Sequence, residues 1–459
     1  MSNKRKKPSV FLVSLGCAKN LVDSEVILGA FVKKQWSVQD DPLSADVIMV
    51  NTCGFIQPAV EEAIDEILHL AEIKKRNPEK RLIVVGCLVQ RYKEQLLESL
   101  PEVDLFIGTE AAPFFSRYID RILEEPVSAK IEIPERTLMD STVPRTMITP
   151  GYRSWLKITE GCDNCCSYCL IPSIRGGLRS RSIEDLVCEA CLLEERGVKE
   201  LSLIAQDLTA FGKERGGKED LHGLLKRLLQ ETAIPWLRLL YLYPTGIDER
   251  ILHLMAENPR LLPYLDMPIQ HASSKVLAAM NRRYTLDDLT RRIDNIRRIV
   301  PDIALRTTLL VGFPGETLDD IKQLEDFLRQ SRFDHVGIFS YSNEEGSPSE
   351  KFAGHCSDEE KAARRDRLLQ VQADISTEAL QKYVGRVEAV LVEGKSSESD
   401  LLLEGRTRFQ APEVDGCVYI VNGVLNPGDI VDVHITEAHV YDLVGEVVEG
   451  GGFSLEIGT

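Results

Sequence analysis

Short β-branched runs alternate with helical stretches along most of the chain, and this alternation restricts the fold more than any other feature. "SVFLVSL", "ADVIMVNT", "RLIVVG" and "VDLFIG" are separated by stretches such as "AVEEAIDEILHLAEIKKR", whose apolar residues recur at three and four. Strands alternating with helices predict a doubly wound parallel α/β domain over residues 8–140. The rhythm decays at "DSTVPRTMITPGYRSW", where Pro144, Pro150 and Gly151 punctuate an expected linker.

The rhythm resumes over residues 150–375 with "WLKITE", "ELSLIAQD", "WLRLLYLYP", "YLDMPIQ", "ALRTTLLVG" and "HVGIFSYS". Successive βα units of this kind predict a partial or complete (βα) barrel, with functional residues at the carboxyl ends of its strands. Between the first two runs, Ser182 and Asp185 resemble a capping box ahead of the stripe Ile183, Leu186, Val187, Ala190 and Leu193. After a charged helical stretch, residues 380–449 break into short runs divided by Gly and Asn-Pro-Gly turns, the pattern of a small antiparallel β-barrel. No run approaches the ~18 to 20 apolar residues of a membrane span. The start, "MSNKRKKPSVFLVSLGC", imitates a lipoprotein signal, but its apolar stretch at 10–15 is shorter than the ~7 to 15 residues of a signal core. A cytoplasmic protein is expected, and the basic head "KRKK" is read as a solvated tail.

Eleven cysteines in 459 residues are too dilute for a disulfide scaffold, and an odd number cannot pair completely. Clustered Cys then reads first as metal ligation. The stretch "EGCDNCCSYCL" places Cys162, Cys165, Cys166 and Cys169 together. Zinc is one reading, since two C-x2-C pairs are present, although zinc knuckles normally need a connecting segment and Cys165 and Cys166 are adjacent. Dropping Cys165 as a spare leaves Cys162-x3-Cys166-x2-Cys169 with Tyr168 before the last thiol. Three thiolates on one loop can hold three corners of a 4Fe-4S cubane and leave one iron open.

A second set is dispersed. Cys17, Cys53 and Cys87 each follow a predicted parallel strand, and in an open α/β sheet those strand ends share one edge. Each is otherwise a small buried hydrophobe, the commonest fate of a free Cys. If they converge, a second cubane with one exchangeable iron follows. Further along, "LRTTLLVGFPGET" offers Arg306, Gly312, Gly315 and Glu316 as a ligand pocket, with Arg306 able to pair a carboxylate; an ordinary strand-to-helix turn is the alternative. Gln206 and Asp207 close another strand and either line the pocket or hydrogen-bond locally. His271 is in the same position. Cys188 and Cys191 sit one helical turn apart beside an apolar stripe and are expected in the core, while Cys356 and Cys417 are isolated.

The C-x3-C-x-aromatic-C arrangement after the first barrel strand resembles the radical S-adenosylmethionine (radical SAM) superfamily. Together with "SLGCAKNLVDSE", "NTCGFI", "VGCLVQRY", "RGGLRSR", "MPIQHAS", "VGFPGET" and "GRTRFQAPEVDGCVYI", it makes the chain similar to the methylthiotransferases from about residue 10 to residue 447. The resemblance implies an N-terminal methylthiotransferase domain, a radical SAM barrel and a C-terminal TRAM-type domain. It also implies two 4Fe-4S clusters, one on Cys17, Cys53 and Cys87 and one on Cys162, Cys166 and Cys169, with SAM bound at the latter. Tyr168, Gln206, Arg306 and Gly312 are the expected SAM-pocket residues. One SAM methylates a sulfur species on the auxiliary cluster, and a second yields the radical that activates the β-carbon of an aspartate. A sulfur donor and an electron donor are needed.

The substrate is the fork, because members of this family act either on small-subunit ribosomal protein S-twelve or on tRNA adenosine. The whole chain carries a formal charge of −17, and residues 382–449 hold 5 basic and 13 acidic residues. An RNA-gripping barrel should be basic, whereas an acidic one attracts a Lys/Arg-rich protein. S-twelve docked by the C-terminal domain is therefore expected, and tRNA is disfavoured. A non-catalytic carrier using both clusters for redox is the reading from another class.

Overall fold

The computed structural model describes residues 7–123, 130–399 and 401–452; Lys4, Arg5 and Lys6 of the basic head lie outside them, as does Asp400. Strands β1 (Ser9–Ser14), β2 (Ser37–Val38), β3 (Val47–Thr52), β4 (Arg81–Gly86), β5 (Leu105–Ile107) and β6 (Lys130–Glu132) form one parallel sheet in the order β2-β1-β3-β4-β5-β6. β3 is buried along its whole length and β4 nearly so, because helices cover both faces and demand a continuous apolar run. Two strands were not expected, β2 and β6; at two and three residues they are too short to show a period.

Helix α1 (Ala18–Lys33) is buried nearly all round, including its polar residues. It lies between the first sheet and the second domain, and those polar groups find partners across the gap: Asp23 pairs with Lys157, and Glu25 with Arg145 at 2.6 Å. Helix α2 (Gln57–Arg76) lays Val60, Ala63, Ile67 and Leu70 on the sheet. The stretch around Pro144, expected as a linker, is firmly packed: Arg145 is buried, and besides Glu25 it holds Glu189 at 2.7 Å and donates to Trp155 O at 2.9 Å.

The second domain contains β7 (Arg153–Lys157), β8 (Thr159–Glu160), β9 (Arg179–Ser180), β10 (Glu200–Ile204), β11 (Trp236–Leu239), β12 (Leu261–Asp266), β13 (Ala304–Val311) and β14 (His335–Ser340). Six of these form a parallel sheet in the order β14-β13-β12-β11-β10-β7, with β7 and β14 as edges, so the barrel is partial. β8 and β9 pair separately and antiparallel, at the base of the cysteine loop. On the helix that follows, Ser182 accepts from Asp185 N, but the reciprocal half of a capping box is replaced: the Asp185 carboxylate takes Arg181 and Ser141 N instead.

The third domain is a closed barrel of β15 (Val387–Lys395), β16 (Leu403–Thr407), β17 (Val418–Ile420), β18 (Ile430–Ala438) and β19 (Leu443–Gly452). It departs from the fully antiparallel expectation at one seam, where β17 and β19 pair parallel. Leu391 packs on Trp236 and Leu262, at the amino ends of β11 and β12. Buried Glu200, opening β10, joins Arg238 at 2.6 Å and Arg406 at 2.5 Å. The C-terminal barrel thus closes the amino end of the six-stranded sheet. The N-terminal domain meets the opposite end: Lys19 Nζ donates to Ala205 O at 3.3 Å, just past β10, and Gln57 N donates to Glu344 at 2.8 Å, just past β14.

Candidate metal centres

The loop between β8 and β9 is pinned by its own backbone. Cys162 N donates to Gly176 O at 3.0 Å, and Cys169 N donates to Cys166 O at 3.1 Å. Cys166 is buried and Cys162 and Cys169 are half-buried, whereas Cys165 is exposed with its thiol against Asp163 O at 3.6 Å. Burial pushes the Cys162 thiol up to about 11 and the Cys169 thiol up to about 12, and Cys166 and Cys162 add to the rise at Cys169. Three sulfurs therefore lie within electrostatic reach of one another. Arg282 Nη1 donates to Cys166 Sγ at 3.9 Å, and its guanidinium lies 4.8 Å from the Tyr243 ring centroid. Tyr168 packs beside Val276, Met280, Phe313 and Tyr341 as a wall of the same region.

Thiols raised by burial, as at Cys162 and Cys169, need a positive centre to ionise, and three thiols on one loop suit three corners of an iron-sulfur cluster. With Cys165 turned to solvent, the zinc alternative lacks its fourth thiol. Among the described residues no group of three or more His, Cys, Asp or Glu side chains is gathered to hold a single metal ion.

The dispersed set does converge. Cys17 immediately precedes α1, Cys53 follows β3, and Cys87 opens α3 (Cys87–Tyr92) at the end of β4. These strands are neighbours, so their carboxyl ends share an edge. Gly16, at φ 93°, sits where a Cβ would come within 2.9 Å of Cys53 Cβ; at Gly54 it would come within 2.7 Å of Leu88 N. Only the missing side chains let the three turns approach this closely. Burial pushes Cys87 up to about 12 and raises Cys53, with Cys17 adding to the rise at both. Cys17 is the exposed member of the three; the protein packed around it opposes ionisation, but Lys19, Arg175 and nearby backbone N–H groups outweigh this and hold the thiol below its ordinary range.

The two sets are adjacent. Cys87 forms an apolar contact cluster with Leu170 and Ile174, on the segment that directly follows Cys169.

Comparison with known proteins agrees with this geometry. A family model described as Uncharacterized protein family UPF0004 matches residues 9–108, the Radical SAM superfamily model matches 156–328, and a TRAM domain model matches 384–448. The ribosomal protein uS12 methylthiotransferase RimO of Desulfotalea psychrophila is 56% identical over 437 residues, covering 95% of this chain and 98% of the relative. The chain belongs to the RimO family. The RimO protein of Geobacter sulfurreducens is 44% identical over 448 residues, covering 98% of this chain and 100% of the relative. Among solved structures, the radical SAM methyltransferase TsrM from Kitasatospora setae superposes with a TM-score of 0.53 at 14% identity, covering 84% of this chain and 78% of that one. The cobalamin-dependent SAM radical enzyme OxsB also gives 0.53 at 15% identity, covering 81% and 56%. These two show likeness of fold alone. Membership of the RimO family and the radical SAM superfamily carries with it a 4Fe-4S cluster and SAM.

Other expected site residues divide on inspection. Gln206, just past β10, has both side-chain amide atoms buried with no hydrogen-bond partner, which fits a polar ligand such as SAM. Asp207 instead caps the following turn through Thr209 N and accepts from Asn164 at 2.8 Å. Arg306 departs from its expected role. It lies near the start of β13, and its guanidinium is shared between Asp266 at 3.0 Å and Asp415 of the C-terminal domain at 3.3 Å, so two carboxylates already occupy the charge meant for SAM. Gly312 has φ 77°, and its N–H donates to Glu316 at 2.9 Å. Glu316 also takes Arg364 at 2.7 Å and faces His271 at 3.5 Å, so all three hold the turn together. His271 Nδ1 accepts from Ala272 N and Ser273 N, the local role weighed for it. Cys188 is exposed, contrary to the core placement expected, while Cys191 packs on the core. Arg282 had no signal in the sequence, and Arg175 was legible only as the first residue of "RGGLRSR", with no role attached, because the partners of both come from distant segments.

Proposed function

We propose that the chain is a radical SAM methylthiotransferase that adds a methylthio group to the β-carbon of an aspartate in ribosomal protein S-twelve, the uS12 of its relatives' names. The observation that carries this reading is the adjacency of two separate three-thiol sites, joined where Cys87 packs on Leu170 and Ile174. Cys162, Cys166 and Cys169 hold the 4Fe-4S cluster that binds SAM, and Cys17, Cys53 and Cys87 hold a second. When bound, the cofactors supply hydrogen abstraction from a strong C–H bond and a sulfur to fill its place, neither of which acid-base side chains can provide.

The chain's own groups do the positioning. Gln206 offers SAM a buried donor and acceptor. Arg282 keeps a positive charge beside Cys166, and Tyr168 walls the pocket. The N-terminal domain, tied down by Lys19 on Ala205 O and Arg91 on Glu344 at 2.9 Å, covers the carboxyl end of the barrel and limits water there. Residues 8–140, 150–375 and 380–449 serve respectively as auxiliary-cluster, radical SAM and docking domains. The C-terminal domain presents exposed Glu413, Glu437 and Glu446, a surface that favours a basic ribosomal protein over RNA. Such a substrate puts the reaction in the cytoplasm, with a sulfur donor and an electron donor supplied there.

The test is anaerobic reconstitution with iron, sulfide, SAM and reductant, followed by mass spectrometry of S-twelve and of tRNA. A gain of one methylthio group on an aspartate of S-twelve is expected. The same gain on tRNA overturns the substrate, and absence of any 5′-deoxyadenosine overturns the enzyme.

A further inference from the structure

Arg175 is nearly fully buried and stands at the junction of the two thiol sites. It caps the short helix Ile171–Ile174 that follows Cys169, so its backbone belongs to the radical SAM loop. Its side chain belongs to the other site. Nη2 donates to Asn20 Oδ1 at 2.5 Å, and that same oxygen lies 3.7 Å from Cys87 Sγ. Asn20 Oδ1 therefore bridges the guanidinium to the Cys87 thiol, and the positive charge also acts on Cys17 and Cys53.

The surroundings keep that charge aimed at sulfur. Nη1 donates to Glu160 at 3.0 Å, and Nη2 also lies 3.2 Å from Asp23. Those two carboxylates are shared with Lys157, which contacts both. Two buried acids are therefore matched by two buried bases, and the Arg175 corner of this neutral square faces the thiols. An arginine suits the place because its planar fork serves two carboxylates and an amide simultaneously, which a lysine ammonium cannot.

We propose that Arg175, carried on the loop of the radical SAM thiols, is the positioning cation of the Cys17, Cys53 and Cys87 site: it places its charge beside that site's sulfur through Asn20, raises the reduction potential of the cluster held there, and fixes the two centres relative to one another. Positive charge and hydrogen bonds to cluster sulfur stabilise the reduced form, which carries one more electron. The inference rests on the reading that this site holds a cluster.

The experiment uses full-length protein in a background where Cys162, Cys166 and Cys169 are replaced by Ala, so that only one centre can form. Iron and sulfide per chain are measured, and the centre is titrated potentiometrically by electron paramagnetic resonance, for Arg175 and for Arg175→Met and Arg175→Lys. Full iron loading is expected throughout, with a lower potential in Arg175→Met and an intermediate one in Arg175→Lys. An unchanged potential in a loaded Arg175→Met overturns the proposal alone. If Arg175→Met does not fold, Arg175→Gln takes its place, and an unchanged potential in that loaded variant overturns the proposal, because the charge is gone while a polar side chain remains. If the protein with Arg175 intact takes up no iron in this background, the two-cluster reading fails and this proposal falls with it.

Discussion

Cys162, Cys166 and Cys169 lie on one loop, whereas Cys17, Cys53 and Cys87 come from three separate turns that meet only because β1, β3 and β4 are neighbours. The first site is written locally; once the β8–β9 hairpin closes, its thiols are together. The second is written in topology and exists only when the parallel sheet is complete. One follows from chain geometry over a few residues, and the other depends on every contact that holds two crossovers in place. Damage to sheet packing should therefore fall on the second site and spare the first.

The largest effects test whether the two trios are distinct. Cys166→Ala is expected to remove one cluster and to abolish 5′-deoxyadenosine formation. Cys53→Ala is expected to remove the other, leaving SAM cleavage but no methylthio transfer. Iron analysis with product detection by mass spectrometry decides; loss of both clusters in either variant would break the distinction.

Next in size is a packing change aimed at the topological site alone. At Gly54 an added Cβ would lie 2.7 Å from Leu88 N and 2.9 Å from Cys87 C, so Gly54→Ala must push the β3 turn away from α3. Overpacking of this kind costs about 1–3 kcal/mol. The expected outcome is a lowered melting temperature and loss of iron from the dispersed site, with the Cys162, Cys166 and Cys169 cluster retained. Equal loss at both sites would show that the loop, too, depends on the sheet.

A third prediction moves to the opposite end of the barrel. Burial alone would raise the Glu200 pKa, but Arg406 and Arg238 hold it down to about 2. An unfolded Glu titrates near ~4.3, so this carboxylate stabilises the fold fully above that pH, and the contribution, about 3 kcal/mol, disappears as pH falls through 2. Glu200→Gln should remove that acid-dependent slope in circular dichroism. It leaves buried Arg238 without its carboxylate and Arg406 with Glu393 alone, and the C-terminal barrel should become more open to protease. Both thiol sites lie at the other end of the strands and should keep their iron. Loss of iron in this variant would mean that the C-terminal barrel supports the clusters.

The same contrast explains how much was legible in the sequence. The buried parallel strands declared themselves as β-branched runs, and the order of β7 and β10 to β14 followed from successive units. The thiols of both trios were legible because each marks a strand end or a loop. β2 and β6 were not, being too short for a period, and the parallel β17–β19 seam follows from barrel closure, which no local pattern records. Arg306 misled because a glycine turn follows it in the sequence, yet β13 runs eight residues, Ala304–Val311, and separates the two. Arg175 opens "RGGLRSR" and Asn20 lies in "SLGCAKNLVDSE", but their pairing stayed silent for the opposite reason: they lie 155 residues apart and acquire a joint role only on meeting.

The smallest effect is the most pointed test of the local site. Cys165 stands between two of the proposed ligands, so a spacing argument alone leaves it a candidate. Its thiol is turned to solvent, and among the described residues its one partner is the neighbouring Asp163 O. Surface substitutions of this kind usually change stability by less than ~0.5 kcal/mol. Cys165→Ala should therefore match the unsubstituted protein in iron content, melting temperature and SAM cleavage. A drop in iron would mean that the loop rearranges on loading to bring in a fourth thiol, closing the iron that SAM must occupy; the two sites would then differ in chemistry as well as in construction.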